Sequence, residues 1–110
     1  MGKLVLIQQA LDDLGLEKED FIEIVQELKS FTKKTLPKLK VAISTGNFND
    51  LEKIAHSIKG SFKNLRFIEV GKIAENLEII GSGSLKKDPV ELFNQLEKSI
   101  EASFAEVGNS

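Results

Sequence analysis

Cysteine is absent from this 110-residue chain, which excludes disulfides, thiolate metal sites and cysteine nucleophiles together. Long apolar runs are absent as well, so the sequence predicts neither a membrane span nor a signal peptide. Only one histidine is present, His56. We therefore expect a cytoplasmic protein in which His56 is the one side chain suited to nucleophilic chemistry near neutral pH.

An excess of positive charge is also missing. Fifteen basic residues stand against seventeen acidic ones, a formal net charge of −2, so the charge does not indicate nucleic acid or an anionic membrane as a partner. With 41% hydrophobic residues, a chain of this length has room for one domain with one core. We predict a single domain over residues 1–110, with its core within about 17–107.

Apolar residues recur at spacings of three and four along most of the chain, which indicates helices. A short first helix is predicted over about 3–14, with Gly15 as its C-cap. A long second helix ends near Gly46, and Pro37 inside it predicts a kink or local break, with a change in the direction of the apolar stripe.

The third helix is predicted from about 48 to 64. Asn47, with Asp50 three residues on, has the spacing of an N-terminal cap, and Phe48 beside it is expected to pack back on the bundle.

Two further helices follow. The fourth runs from about Phe67 to the Gly/Ser tetrapeptide at 81–84, which is interpreted as a connection because a phosphate loop needs a preceding strand and a following Lys-Ser/Thr pair. Asp88 and Pro89 have the order of a helix start, as cap and first-turn residue. No segment alternates with the two-residue period of a strand. The fold class is therefore all-α: an antiparallel up-and-down four-helix bundle with a short extra N-terminal helix at one end.

The histidine is predicted to face solvent. At about 100° per residue, His56 lies roughly 150° from the centre of the apolar stripe of the third helix. Lys59 and Lys63 share its side of the helix, and Lys53 precedes it by three residues. Gly60, one turn on, carries the cost of about 1 kcal/mol that glycine has inside a helix. Because Gly60 is poorly placed to touch a neighbouring helix, we interpret it as giving access to the imidazole.

This neighbourhood suits phosphoryl transfer. A neutral imidazole offers a nucleophilic ring nitrogen, and an ammonium such as that of Lys59 stabilises the charge on the transferred oxygens. No carboxylates are arranged near His56 to hold Mg²⁺, so we expect no cofactor on this chain and Mg²⁺ on its partner. No ATP site is recognisable, which favours a phosphoryl carrier over a self-contained enzyme.

Residues 55–61, Ala-His-Ser-Ile-Lys-Gly-Ser, followed by Asn64-Leu65, resemble the histidine-containing phosphotransfer (HPt) domain family, whose hallmark is His-x-x-Lys-Gly-Ser/Ala inside a bundle helix. The turn at Gly46-Asn47, about ten residues before the histidine, and residues 73–78, Ile-Ala-Glu-Asn-Leu-Glu, are similar to the family as well. The resemblance extends from about residue 21 to residue 107.

The resemblance implies a function in two-component phosphorelays. His56 would be the phosphoacceptor, Lys59 the phosphate-stabilising cation and Gly60 the residue that leaves space. The partners would be receiver domains of response regulators, which carry an acceptor aspartate, or a sensor histidine kinase. The surface that binds them is predicted to include Lys53, Ser57, Lys63 and Arg66.

One position departs from the family pattern. Arg66 stands where the family usually has a glycine that closes the helix, and a non-glycine residue with positive φ is uncommon. The turn between the third and fourth helices is therefore expected to differ.

Other interpretations stay open at this point. A helical bundle that binds receiver or kinase domains without being phosphorylated would leave His56 dispensable. The string from Ala55 to Gly60 is also similar to the N-terminal domain of chemotaxis histidine kinases, so the chain could be a fragment of a larger kinase. A metal site is disfavoured because a single histidine without cysteine supplies too few ligands.

Overall fold

The computed structural model describes residues 7–108, with burial given from residue 8 onward. Over this range the chain forms five helices and no strand, which confirms the predicted class: α1 (Ile7–Leu14), α2 (Lys18–Ser44), α3 (Phe48–Asn64), α4 (Ile68–Gly81) and α5 (Pro89–Gly108). Helix α3 packs most closely on α4, α2 on α3, and α5 on both α4 and α2, so α2 to α5 close a four-helix bundle. No helix among the described residues is both long enough and apolar enough to cross a membrane.

Helix α1 covers one end of the bundle, as predicted. Its residue Ala10 is fully buried, and Asp13 accepts a hydrogen bond from Arg66 at the α3–α4 turn, with Oδ2 and Nε 3.2 Å apart. Gly15 follows the helix with a φ of +65°, which is the left-handed conformation of a C-cap glycine. Residues 3–6, which were also predicted to be helical, lie outside the described residues.

Helix α2 continues through Pro37, so the predicted local break is wrong. Pro37 is exposed, and the backbone carbonyl that loses its hydrogen bond lies on the same side of the helix, where water can bind it. The predicted change in stripe direction is also wrong, because residues on both sides of Pro37 bury one continuous stripe. Those residues are Phe21, Val25, Leu28, Thr32, Leu39 and Ala42. A bend at Pro37 remains a prediction.

Helix α3 has the predicted bounds. Asn47 caps it: its Oδ1 accepts from the Asp50 backbone N–H at 3.1 Å, and its Nδ2 donates to the Asp50 carboxylate at 2.9 Å. The expectation that Phe48 packs back on the bundle is wrong, because its side chain is 52% exposed. At the first position of α3, Phe48 precedes the buried stripe, which starts at Leu51.

The sequence predicted an altered α3–α4 turn because Arg66 replaces the usual glycine. That expectation is wrong, since the turn has the ordinary glycine-type geometry. Arg66 itself adopts the left-handed conformation, with a φ of +68°. The Phe67 N–H donates to the Phe62 carbonyl at 2.9 Å and the Arg66 N–H to the Lys63 carbonyl at 3.0 Å, which is the Schellman pattern that glycine usually closes. The Arg66 guanidinium holds this conformation by donating to the Lys63 and Asn64 carbonyls and to Asp13.

The core is apolar, with an aromatic group at the end of the bundle that holds this turn. Phe62, Phe67 and Phe104 pack with ring centroids 5.5–5.9 Å apart. The remaining large, fully buried side chains are aliphatic apart from Phe21, and they include Val25, Leu39, Leu51, Ile58, Val70, Leu77 and Leu96. Three buried hydroxyls interrupt this core. Thr32 donates to the Leu28 carbonyl at 2.8 Å, whereas Ser99 and Ser103 on α5 have no hydrogen-bond partner among the described residues.

Replacing Ser103 by alanine should stabilise the protein. The substitution removes a desolvated, unpaired hydroxyl, so we expect a gain of about 1 kcal/mol in the free energy of unfolding. The matched control is Ser30→Ala at an exposed helical position, which makes the same change in helix propensity without the change in burial. Urea unfolding followed by circular dichroism is the measurement, because the chain has no tryptophan or tyrosine. A gain no larger than that of the control would contradict the argument.

Candidate functional site

His56 lies on the solvent face of α3, and its side chain is 67% exposed. Ala55 and Ile58 on either side of it are buried, so the packing of the helix fixes the direction in which the imidazole projects. The predicted orientation is therefore found in the structure. The histidine is accessible without any rearrangement of the bundle.

The exposed imidazole is held by a carboxylate from the neighbouring helix. Glu78 on α4 places Oε2 2.7 Å from His56 Nδ1 and Oε1 2.6 Å from Lys59 Nζ, so one carboxylate joins both α3 side chains. Glu78 is 20% exposed and Lys59 23% exposed, which leaves His56 as the open member of the three.

The ionisation of this group follows from the same contacts. Desolvation raises the pKa of the Glu78 carboxyl, but the hydrogen bonds from Lys59 and His56, with their charges, outweigh it and leave the pKa below the ordinary 4.5. The hydrogen bond to Glu78 raises the pKa of the Lys59 ammonium above 10.5, against a smaller opposing effect of burial. Near neutral pH the pair is therefore a carboxylate and an ammonium.

An ionised Glu78 decides which ring nitrogen of His56 carries the proton. A carboxylate can only accept hydrogen bonds, so at 2.7 Å the His56 Nδ1 must be the donor. In the neutral ring the lone pair then lies on Nε2, which has no hydrogen-bond partner among the described residues. The arrangement presents Nε2 to solvent as a nucleophile of defined direction.

Lys59 was predicted to stabilise a phosphoryl group directly. The structure places its ammonium on Glu78, so in this state the cation neutralises the carboxylate beside His56. A lysine ammonium has three N–H donors, and one is used here. A direct contact with a phosphoryl group stays a prediction.

Gly60 is exposed on the same face as His56. A Cβ added at this position would have no heavy atom within 4 Å, so no neighbouring helix requires a glycine there. Packing therefore does not explain a residue that costs about 1 kcal/mol in a helix interior. This favours the access interpretation, which stays a prediction.

Two other glycines do serve packing, and both are on α4. A Cβ on Gly81 would lie 2.6 Å from the Glu52 backbone nitrogen and 2.8 Å from its Cα, so α4 approaches the α3 backbone directly at this point. A Cβ on Gly71 would lie 2.5 Å from Cγ of Lys63, whose alkyl chain crosses α4 there. These contacts lie on either side of Glu78 along the helix pair and hold α4 close to α3.

The four residues predicted to bind a partner fall into two groups in the structure. Lys53 and Ser57 are exposed, as a binding surface requires. Lys63 instead pairs with Glu75, with Nζ and Oε2 3.1 Å apart, and Arg66 binds Asp13 and the α3–α4 turn. Both of these basic side chains have structural contacts, and a role in binding a partner stays a prediction for all four residues.

Glu78 is the functional candidate that residue-by-residue reasoning missed. It lies 22 positions after His56, so no spacing within one helix connects them. The only signal was the string at residues 73–78, which resembles the HPt family and ends at Glu78. Among the described residues, no three histidine, cysteine or acidic side chains are grouped to hold a metal ion.

The fold and the site together define a class: a helical bundle that presents an exposed imidazole from the middle of one helix. The model of the Hpt domain family matches residues 23–106. No curated protein and no solved structure gives a significant match to this chain. The chain belongs to the Hpt domain family, the histidine phosphotransfer domains of two-component systems.

The Glu78 ion pairs should make stability depend on pH in the acid range. Because the folded-state pKa is lowered, the contribution of Glu78 is present above about pH 4.5 and is lost as the pH falls through the folded pKa. Glu78→Gln removes this titration. Urea unfolding at pH 7 and pH 3 should therefore show wild type more stable than the variant at pH 7, with a smaller difference at pH 3. A difference that is the same at both pH values would contradict this assignment.

Proposed function

We propose that His56 is the phosphoacceptor of this domain, and that it exchanges a phosphoryl group with the aspartate of a receiver domain. The observation that carries the proposal is the contact of Glu78 with Nδ1, which leaves Nε2 of an exposed imidazole as the free nucleophile. Membership of the Hpt family supports the reaction class. We also place this exchange in the cytoplasm, as the sequence predicts.

The transfer step forms one bond and breaks one. The Nε2 lone pair attacks the phosphorus of an aspartyl phosphate, the P–N bond forms as the P–O bond to the aspartate breaks, and the aspartate leaves as a carboxylate. No proton has to be removed from Nε2, so this chain needs no general base. The reverse sequence returns the phosphoryl group to an aspartate.

Glu78 has an electrostatic part in this step. As Nε2 shares its lone pair with phosphorus, positive charge develops on the ring while Nδ1 keeps its proton. The Glu78 carboxylate at 2.7 Å from Nδ1 stabilises that charge and fixes the ring orientation, so it acts as a positioning residue. Lys59 holds Glu78 in its ionised form from the other side.

The partner must supply most of the catalysis. Glu78 and Lys59 carry opposite charges, so together they do little to neutralise an incoming phosphoryl group. Phosphoryl transfer normally needs Mg²⁺ or other cations on the phosphoryl oxygens. We propose that Mg²⁺ bound to the receiver provides them and that this chain is a carrier rather than a self-contained enzyme.

The first experiment uses a panel of phosphorylated receiver domains with Mg²⁺. Wild type should acquire acid-labile, base-stable label, because a P–N bond has this stability, and His56→Gln should acquire none. Label on neither protein across receivers and histidine kinases would sink the carrier assignment and favour a bundle that binds its partners without phosphorylation.

A second experiment tests the part of Glu78. NMR of ¹⁵N-labelled imidazole at pH 8 should place the His56 proton on Nδ1 in wild type and on a mixture of both nitrogens in Glu78→Ala. Transfer from the receiver should slow on the order of 10–100-fold, as when a group that orients a reactive imidazole is removed. Glu75→Ala is the matched control, because Glu75 is one turn away and binds Lys63. An unchanged tautomer in Glu78→Ala would refute this role.

A further inference from the structure

We propose that the groove between the start of α3 and the α4–α5 connection is a second contact region for the receiver domain that docks at His56. It would accept an apolar side chain of that receiver, with receiver carboxylates on the two lysines beside it. This inference rests on the proposed function and extends it to a surface outside the phosphotransfer motif.

The groove has about 590 Å³ of space and a mainly apolar floor. Phe48, Ile80, Leu85 and Pro89 line it, and Phe48 is 52% exposed. An exposed aromatic ring beside a concave apolar surface is typical of a binding site. Aromatic side chains are also among the residues that contribute most to interfaces.

Position connects the groove to His56. Phe48, Glu52 and His56 follow one another at intervals of four residues along α3, so Phe48 is about 12 Å from His56 along the helix axis. A standard interface covers about 800 Å² on each partner, which corresponds to a disc of radius about 16 Å. Eight residues also turn Phe48 about 80° around the helix from His56, so a receiver centred on His56 has Phe48 at the edge of its footprint.

The groove also lies directly beside the helix that carries His56. Gly81, which lines the groove, touches the α3 backbone at Glu52, one turn before His56. Gly83 then turns the chain with a φ of +86°. The α4–α5 connection therefore starts beside the helix that carries the acceptor, so one partner surface can meet both.

Charge favours an acidic partner. Lys86 and Lys87 lie in the groove lining, are exposed, and form no ion pair among the described residues. The one carboxylate in the lining, Asp88, already accepts a hydrogen bond from the Val90 N–H at 2.9 Å as a helix cap. Two unpaired lysines beside an apolar groove complement a receiver surface that presents carboxylates around an apolar side chain.

The test measures transfer rate against receiver concentration, with the receiver that labels wild type fastest in the panel above. Phe48→Ala and the double variant Lys86→Glu/Lys87→Glu should each raise the half-saturating receiver concentration about tenfold, while the maximal rate stays within about twofold. The double variant should lose its effect at 0.5 M salt and Phe48→Ala should keep its effect, because only charge is screened. Labelling of His56 by phosphoramidate, a small donor that needs no docking, should be unchanged in both.

Ile22→Ala and Lys98→Glu are the matched controls, because both residues are exposed and lie on helices other than α3 and α4. If wild type is labelled but the groove variants have the same half-saturating receiver concentrations as the control variants, the groove is not a receiver contact and the carrier function stands. No labelling of wild type by any receiver would instead overturn the carrier function itself. A wild-type dimer in sedimentation velocity that Phe48→Ala dissociates would assign the groove to a second copy of the chain and also overturn the proposal.

Discussion

The close approach of α4 to α3 is the constraint on which the site depends. Gly81 meets the α3 backbone at Glu52, and Gly71 leaves room for the alkyl chain of Lys63. Between these two contacts a glutamate side chain is long enough to reach across and bind both His56 and Lys59. A methyl group at Gly81 would lie 2.6 Å from the Glu52 backbone nitrogen, so α4 would have to move away from α3 one turn from Glu78. The helix packing therefore sets the chemistry of the imidazole.

This arrangement suits a carrier that must both accept and release its cargo. A site with several uncompensated cations would bind a phosphoryl group tightly and give it up slowly. Here the Lys59 ammonium is neutralised by Glu78, so the bundle orients the imidazole while the attraction for phosphate stays small. The exposure of His56 also suits a carrier, because a partner can bring its own cations to a phosphoryl group on the imidazole. In the proposed function the domain contributes direction and access, and its partner contributes most of the rate.

The helices around the site end in a common way. Four helix ends are followed by a residue with positive φ, three of them glycine and the fourth Arg66. Arginine in this conformation costs about 1 kcal/mol relative to glycine. Its guanidinium compensates by binding two carbonyls of the turn and Asp13 of α1, so the residue also fastens the short first helix to the bundle. A residue with a side chain can thus occupy the left-handed position of a helix C-cap, where sequence patterns predict glycine.

The features that the sequence determined by itself are those with a local cause. Helical periodicity, the Asn47 and Asp88 caps and the glycine at residue 15 set the helix ends, because each acts within a few residues. The angle of His56 from the buried stripe followed from 100° per residue, and the motif from Ala55 to Ser61 identified the family. Pro37 shows the limit of local rules, since the packing of α2 on both sides of it overrode the expected break.

Only the tertiary structure decided what joins segments that are distant in the chain. The Glu78 contact with His56 spans 22 residues, and the Arg66 contact with Asp13 spans 53. No helical period encodes such pairs, because they depend on the distance and rotation between helices. The same is true of the basic residues that were assigned to a partner surface. Lys63 and Arg66 pair with carboxylates from other helices, whereas Lys53 forms no ion pair within the part of the chain that the structure describes. The sequence determined which imidazole is presented to solvent, and the packing of α4 on α3 decided which of its nitrogens is free among the described residues.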